Sequence, residues 1–288
     1  MLASLVAGTL AACARAPTPA SARAVPDNVE TLRLTGSTAA APLLRSLNPS
    51  FQQRYPAVRL ILDDPAVDGP HNASQVLAQI AEGSLPLAAI AGPPSADLWA
   101  APIAVDALAV IVHADNPLRS LTLAQLDQVF VGRTWRWSEL GVQVADGDEI
   151  AADEIVVVSR EVGSGTRAAF EDQVLRARPE QEPAPVTTMA VLRLSSAEVV
   201  DYVAEHPAAI GYVALGVLDA QSGPVKAIAV ENAVPGPAQV ASGAYRLSLP
   251  LYLVALQEPT GAARQYVDFC LSPAGQEIIA RGYVRVRE

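Results

Sequence analysis

Alternating strand and helix signals predict an α/β fold with a mainly parallel sheet. Short apolar runs at residues 58–62, 87–91 and 209–213 are bounded by glycine, proline and polar clusters, which marks them as buried strands. Amphipathic stretches of helical period lie between such runs, at 74–82, 121–131 and 197–206. The 288 residues are 51% hydrophobic, enough for a large core and for about two domains or one large one.

The folded part begins near Glu30. Residues 31–35 alternate apolar and polar, as a strand does. Gly36, Ser37 and Thr38 follow, and 39–47 reads as a helix. A strand, a Gly-Ser-Thr turn and a helix suit an anion, because the helix start offers unpaired N–H groups and the hydroxyls add donors. Taken alone, the same residues are better explained by a simple helix cap. The run 103–113 is long enough to pass between two lobes, and 249–256 is a plausible neighbour for it. Further strands are predicted within 154–159 and at 225–230, and helices at 168–177, 262–271 and 273–280. Residues 187–196 give no clear pattern.

The formal net charge of −10 argues against nucleic acid, whose binders present a basic face. A small anion is not excluded, since its site depends on a few local donors. His71, His113 and His206 are scattered without metal-ligand spacing. No cofactor is implied. Trp135 and Trp137 read as packing residues. Ser164 lacks the surroundings of a nucleophile elbow and has no evident histidine partner, so no enzyme activity is expected.

Residues 1–12 are apolar or small, and the run is too short to span a bilayer as a mature helix. Leu10, Ala11, Ala12 and Cys13 resemble a bacterial lipobox, although no Lys or Arg precedes Cys13. The resemblance implies a signal over 1–13 and lipidation at Cys13, with membrane attachment through the lipid. Cys270 is then an unpaired, buried thiol. Residues 14–29, with three prolines and many small residues, read as a tether.

The strongest local signal runs from Arg160 to Arg167, where Gly163, Ser164, Gly165 and Thr166 form a glycine-hydroxyl loop before a helix. The glycines let N–H groups converge, and Arg160 offers a planar fork suited to a tetrahedral oxyanion. Around this loop the chain resembles the phosphate-binding (PstS-like) family of bacterial ABC importers. The matching stretches are 103–106, 109–112, 116–117, 121–122, 125–126, 129–132, 137–141 and 158–171, and later 209–212, 242–243, 250–253 and 272–276. They cover most of residues 31–284 in the family's order.

That resemblance implies two α/β lobes joined by two crossing strands, with 31–109 plus 229–288 as one lobe and 110–228 as the other. It implies an extracytoplasmic monomer that holds phosphate or a similar oxyanion between its lobes and presents it to an ABC permease. The implied ligand residues are Ser37, Thr38, Arg160, Ser164, Gly165 and Thr166. Asp106 is a weaker candidate, for accepting the ligand's proton. Arg167 is expected to orient the loop or pair with a carboxylate. Three stretches depart from the family. A Gly/Ser-rich segment is replaced at 64–74, an acid and hydroxyls are missing around 87–92, and an arginine is lost near 244–250. These departures weaken the first-lobe half of the site and favour, as the alternative, a sensor or interaction lipoprotein with altered ligand binding.

Overall fold

The computed structural model describes residues 29–64, 72–142, 153–176, 184–221 and 223–286. Cys13, His71 and the lipobox lie outside the described residues. Twelve strands and nine α-helices carry the fold among those residues. In the first half of the sheet, β1 (Glu30–Gly36), β2 (Val58–Asp63), β3 (Leu87–Ala91) and β11 (Ser248–Ala255) lie beside β4 (Trp99–His113) in the order β2-β1-β3-β11-β4. In the second half, β4 continues into β8 (Ala209–Ala214), β6 (Val156–Arg160) and β7 (Val191–Arg193).

Each wing is parallel, and the centre is antiparallel. β1 pairs in parallel with β2 and β3, and β6 does so with β8 and β7. β4 runs antiparallel to both β11 and β8, so one 15-residue strand belongs to both halves. At about 3.3 Å per residue it is about 50 Å long, and its apolar run from Ala107 to Val112 is buried throughout. Its pairing with β11 runs from Ala107 back to Trp99, four residues before the start expected from the sequence, because β11 supplies partners there as well.

The chain crosses back through β9 (Val225–Ala227), which pairs with the end of β4, and β10 (Ala229–Val230), which pairs with β5 (Ser120–Leu121). The single strand expected at 225–230 is therefore split between two partners. Pro235, Gly236 and Pro237 then interrupt pairing, and α7 (Pro237–Ala241) carries the chain to β11. The last strand, β12 (Val284–Arg285), adds to β4.

Several helices begin where capping residues stand. Asn72 and Gln75 form a reciprocal capping box for α2 (Ala73–Ala81), as Thr122 and Gln125 do for α3 (Leu123–Phe130). α1 (Ala41–Arg54) begins with Pro42 in its first turn and buries Leu43, Leu44, Leu47 and Phe51. α5 (Ser196–Glu205), α6 (Leu215–Asp219), α8 (Gly261–Leu271) and α9 (Pro273–Ile279) complete the layers with α4, which belongs to the site. Trp137 is fully buried in the core, while Trp135 is half-exposed with the Arg136 guanidinium over its ring at 4.1 Å. Cys270 is free and buried, and burial pushes its thiol well above the ordinary range. Among the described residues no helix is long and apolar enough to cross a membrane, and no group of three or more His, Cys, Asp or Glu side chains could hold a metal ion.

Candidate anion site

Gly36 ends β1 against β3, where an added Cβ would lie 3.2 Å from the Ala89 carbonyl. Ser37 continues that contact. Its N–H donates to the Ala89 carbonyl at 2.8 Å, and its hydroxyl oxygen accepts the Ala91 N–H at 3.2 Å. The Ser37 carbonyl accepts from the Ala40 and Ala41 N–H groups and so starts the turn into α1. Thr38 is thereby held at the edge of the first half, with its hydroxyl facing the second.

Across from it, Arg160 ends β6 and is 1% exposed. Beneath it, Ser159 shares a 2.7 Å hydrogen bond with the Tyr212 hydroxyl, and the Tyr212 ring stacks on Phe170 at 4.1 Å. Burial raises the Tyr212 pKa to about 12, so the phenol stays neutral. On this platform the Arg160 fork is occupied on every side. Nε donates to Glu161 Oε2 (2.9 Å) and the Arg193 carbonyl (3.2 Å). Nη2 donates to Glu161 Oε1 (3.0 Å) and the Leu194 carbonyl (3.0 Å). Nη1 donates to the hydroxyls of Ser196 (2.9 Å) and Thr38 (3.3 Å).

The loop after Arg160 turns at Gly163, whose φ of 92° favours glycine. Ser164 caps α4 (Gly165–Phe170), accepting the Arg167 N–H at 3.3 Å. The helix therefore starts three residues before the expected Ala168, because the cap recruits Gly165, Thr166 and Arg167 into its first turn. Arg167 donates to the Arg160 carbonyl (2.9 Å) and to Glu171 (2.7 Å), so it both orients the loop and pairs with a carboxylate. Ser164 and Thr166 are buried. The helix continues as a π-helical turn at Glu171–Leu175.

The two halves touch here. An added Cβ on Gly165 would lie 1.8 Å from the Ala91 carbonyl, and one on Gly92 would lie 3.2 Å from the Gly165 carbonyl. The Ser74 N–H donates to the Gly163 carbonyl at 3.2 Å. The starts of α1, α4 and α5 thus converge with one guanidinium, an arrangement that can replace the water around a small oxyanion. β3, at Leu87–Ala91, brings only apolar side chains to this region.

Of the residues expected from the sequence, Thr38 and Arg160 are in direct contact, and Ser164, Gly165 and Thr166 form the adjoining helix start. Ser37 braces β1 on β3. Asp106 sits elsewhere. It is 1% exposed on β4, and its carboxylate accepts the Ala107 N–H (2.7 Å) and the Gly216 N–H (3.0 Å). Burial, with a smaller contribution from nearby Asp219, raises its pKa to about 7. Two residues were not expected. Glu161 saturates the fork, and Ser196 adds a hydroxyl. Ser195 caps α5 through the Glu198 N–H (3.0 Å), so Ser195 and Glu198 were a readable helix-start signature that pointed to Ser196.

Comparison with known proteins places the chain in a family. Residues 21–274 match the PBP superfamily domain. The phosphate-binding protein PstS of Bacillus subtilis is 27% identical over 260 residues, covering 89% of this chain and 81% of that protein. PstS of Pseudomonas aeruginosa is 29% identical over 204 residues, covering 64% and 59%. A Clostridium perfringens structure, described as a phosphate ABC transporter substrate-binding protein with bound phosphate, superposes with a TM-score of 0.76 at 27% identity. It covers 90% of this chain and 100% of that one.

Proposed function

This chain belongs to the PBP superfamily, and from that premise we propose that it captures phosphate, or a closely related oxyanion, between its lobes. The observation that carries the reading is the fully buried Arg160, whose Nη1 meets hydroxyls from both halves, Thr38 and Ser196. Similarity to phosphate-binding proteins supports the choice of ligand. The lobes are taken as 31–109 with 229–288, and 110–228. Ser37, Thr38, Arg160, Ser164, Gly165 and Thr166 are assigned to the site.

The mechanism follows from these groups. An anion enters the open cleft and exchanges its water for fixed N–H dipoles, hydroxyls and one guanidinium. Glu161 already balances the charge of Arg160, so most of the attraction comes from dipoles and hydroxyls. Closure then brings Ala91 onto Gly165 and Ser74 onto Gly163, and the closed surface is what an ABC permease would recognise. We assign the protein to the outer face of a bacterial membrane as a monomer, held by lipid on Cys13. Loss of labelled fatty acid in Cys13→Ala tests the anchor.

Calorimetric titration of the Cys13→Ser chain, freed of bound phosphate, tests the ligand. Binding that disappears in Arg160→Ala supports the reading. A folded protein that gives no heat with phosphate overturns it. One observation favours a second reading, a sensor or interaction module with weakened binding. Every Arg160 nitrogen already has a partner within the protein. That reading is supported if phosphate binds only weakly and the lobes do not respond to it.

A further inference from the structure

Ser196 lies outside the residues that the sequence assigns to the site, yet it is fully buried at the junction of the two halves. Its hydroxyl accepts from Arg160 Nη1 at 2.9 Å and lies 3.5 Å from the Thr38 hydroxyl. Its N–H points to the same Thr38 oxygen, also at 3.5 Å. Both 3.5 Å contacts are long for hydrogen bonds between these groups, so Thr38 and Ser196 do not satisfy each other fully. A serine hydroxyl has one proton to donate and two lone pairs. Arg160 uses one lone pair, which leaves the proton and the other lone pair for a further partner.

We propose that Ser196 is an anion-contacting residue and that, paired with Thr38, it makes the site indifferent to whether the bound oxyanion carries a proton. This assignment rests on the oxyanion-binding function proposed above. A carboxylate in such a site accepts the proton of hydrogen phosphate and repels an unprotonated anion. Among the described residues, the carboxylate bonded to Arg160 is that of Glu161, and both its oxygens are held by the guanidinium. β3 contributes apolar side chains. Among the described residues, the groups left to meet the anion are hydroxyls and N–H dipoles. A hydroxyl rotates to donate to a bare oxygen or to accept from a protonated one, at little cost either way. Ser196 therefore supplies from the second half a hydroxyl that the first half lacks on β3.

The test is titration of the Cys13→Ser chain and its Ser196 variants with inorganic phosphate and inorganic sulfate, alongside thermal melts without ligand. Ser196→Ala is expected to weaken phosphate binding by about tenfold or more and, because buried Arg160 Nη1 loses its 2.9 Å acceptor, to lower the ligand-free melt while the chain stays folded. Ser196→Thr, which keeps the hydroxyl, is expected to restore most of the affinity. Ser196→Cys, which keeps the volume, substitutes for the alanine variant if that one fails to fold. In the parent chain, sulfate and phosphate are expected to compete within about tenfold of each other. Phosphate binding that neither the Ala nor the Cys variant weakens overturns the assignment alone. So does a parent chain that excludes sulfate by about a thousandfold. A parent that binds neither anion overturns the proposed function, and this assignment falls with it.

Discussion

Arg160 and Glu161 are neighbours in sequence and also a forked ion pair, with Nε and Nη2 each within 3.0 Å of a different carboxylate oxygen. Such a pair is unusual because adjacent strand residues point to opposite faces. It forms here because β6 ends at Arg160, so Glu161 is free to turn back. The guanidinium is 1% exposed, and the carboxylate is 14% exposed. Removing the acid would leave a buried charge without its counterion, which is costly. Glu161→Gln is expected to lower stability by about 2 kcal/mol. An added anion would repay much of that loss. The rise in melting temperature on adding phosphate is therefore expected to be larger in the variant than in the parent. Thermal melts with and without phosphate check this, and a smaller rise would show that Glu161 assists the anion rather than competing with it.

Gly165 gives a test of closure at a site residue that has no side chain to offer the anion. Its backbone is helical, so alanine at this position suits the helix better than glycine does. The added Cβ would nevertheless meet the Ala91 carbonyl at 1.8 Å when the halves are together. Gly165→Ala is expected to fold and melt near the parent without ligand, because opening relieves the clash. Phosphate affinity is expected to fall by about a hundredfold or more, corresponding to about 3 kcal/mol of obstructed closure. Calorimetry with small-angle scattering separates this from unfolding. Gly163→Ala adds backbone strain at a φ of 92° and is expected to lower the melt as well.

These contrasts also show what the sequence could convey. β3 was legible to the residue, because five buried apolar residues stand between a Leu-Pro step and a Gly-Pro-Pro stop. The glycine-hydroxyl loop was legible because its backbone demands are written in its residue types. β7 was not, since only three residues pair there, and Arg160 anchors the segment by bonding the Arg193 and Leu194 carbonyls. Those contacts are tertiary and leave no period. Glu161 was hidden for the same reason. Its role depends on where β6 stops, which the local pattern does not specify. Asp106 fits the motif spacing of a site residue. Only the fold shows that it faces Gly216 of α6.

Gln173 links the π-helical turn to β11. Its Nε2 donates to the Ser248 carbonyl at 2.8 Å, and its Oε1 accepts the Ser248 N–H at 2.8 Å. One side chain thus serves both backbone groups of a residue in the other half of the sheet, as a neighbouring strand would. The wider π turn presents Gln173 to β11, and its Nε2 also reaches the Ala169 carbonyl. Gln173→Ala is expected to destabilise the fold by about 2 kcal/mol, since two partly buried backbone groups lose their partner. Gln173→Glu keeps the acceptor for the Ser248 N–H but sets a carboxylate oxygen against the Ser248 carbonyl. It is expected to lose at least as much at neutral pH, and chemical denaturation of both variants checks the order.

Asp106 ties stability to pH. Its carboxylate is buried on the strand shared by the two halves and, among the described residues, accepts two N–H groups but pairs with no cation. The charged groups facing this region are Asp219, which raises its pKa further, and Tyr283, whose own ionisation is pushed up by burial and by these two acids. Arg45 acts on Tyr283 in the opposite direction. With a folded pKa near 7 against an ordinary value of 3.8, the folded chain binds more protons than the unfolded chain between those two values. Stability from this group is therefore greatest below about pH 4 and falls as pH rises, by at most about 1.4 kcal/mol per unit, levelling above about pH 7. Asp106→Asn removes the titration and carries no charge to bury. Its amide faces an N–H donor, so it is expected to equal or trail the parent at pH 5, where the parent's acid is itself mostly protonated. At pH 8 the parent bears the buried charge, and the variant's melting temperature is expected to rise relative to it. Paired melts from pH 5 to 8 read this difference directly. A difference that stays flat across the range would mean that Asp106 remains ionised throughout, held by Ala107 and Gly216.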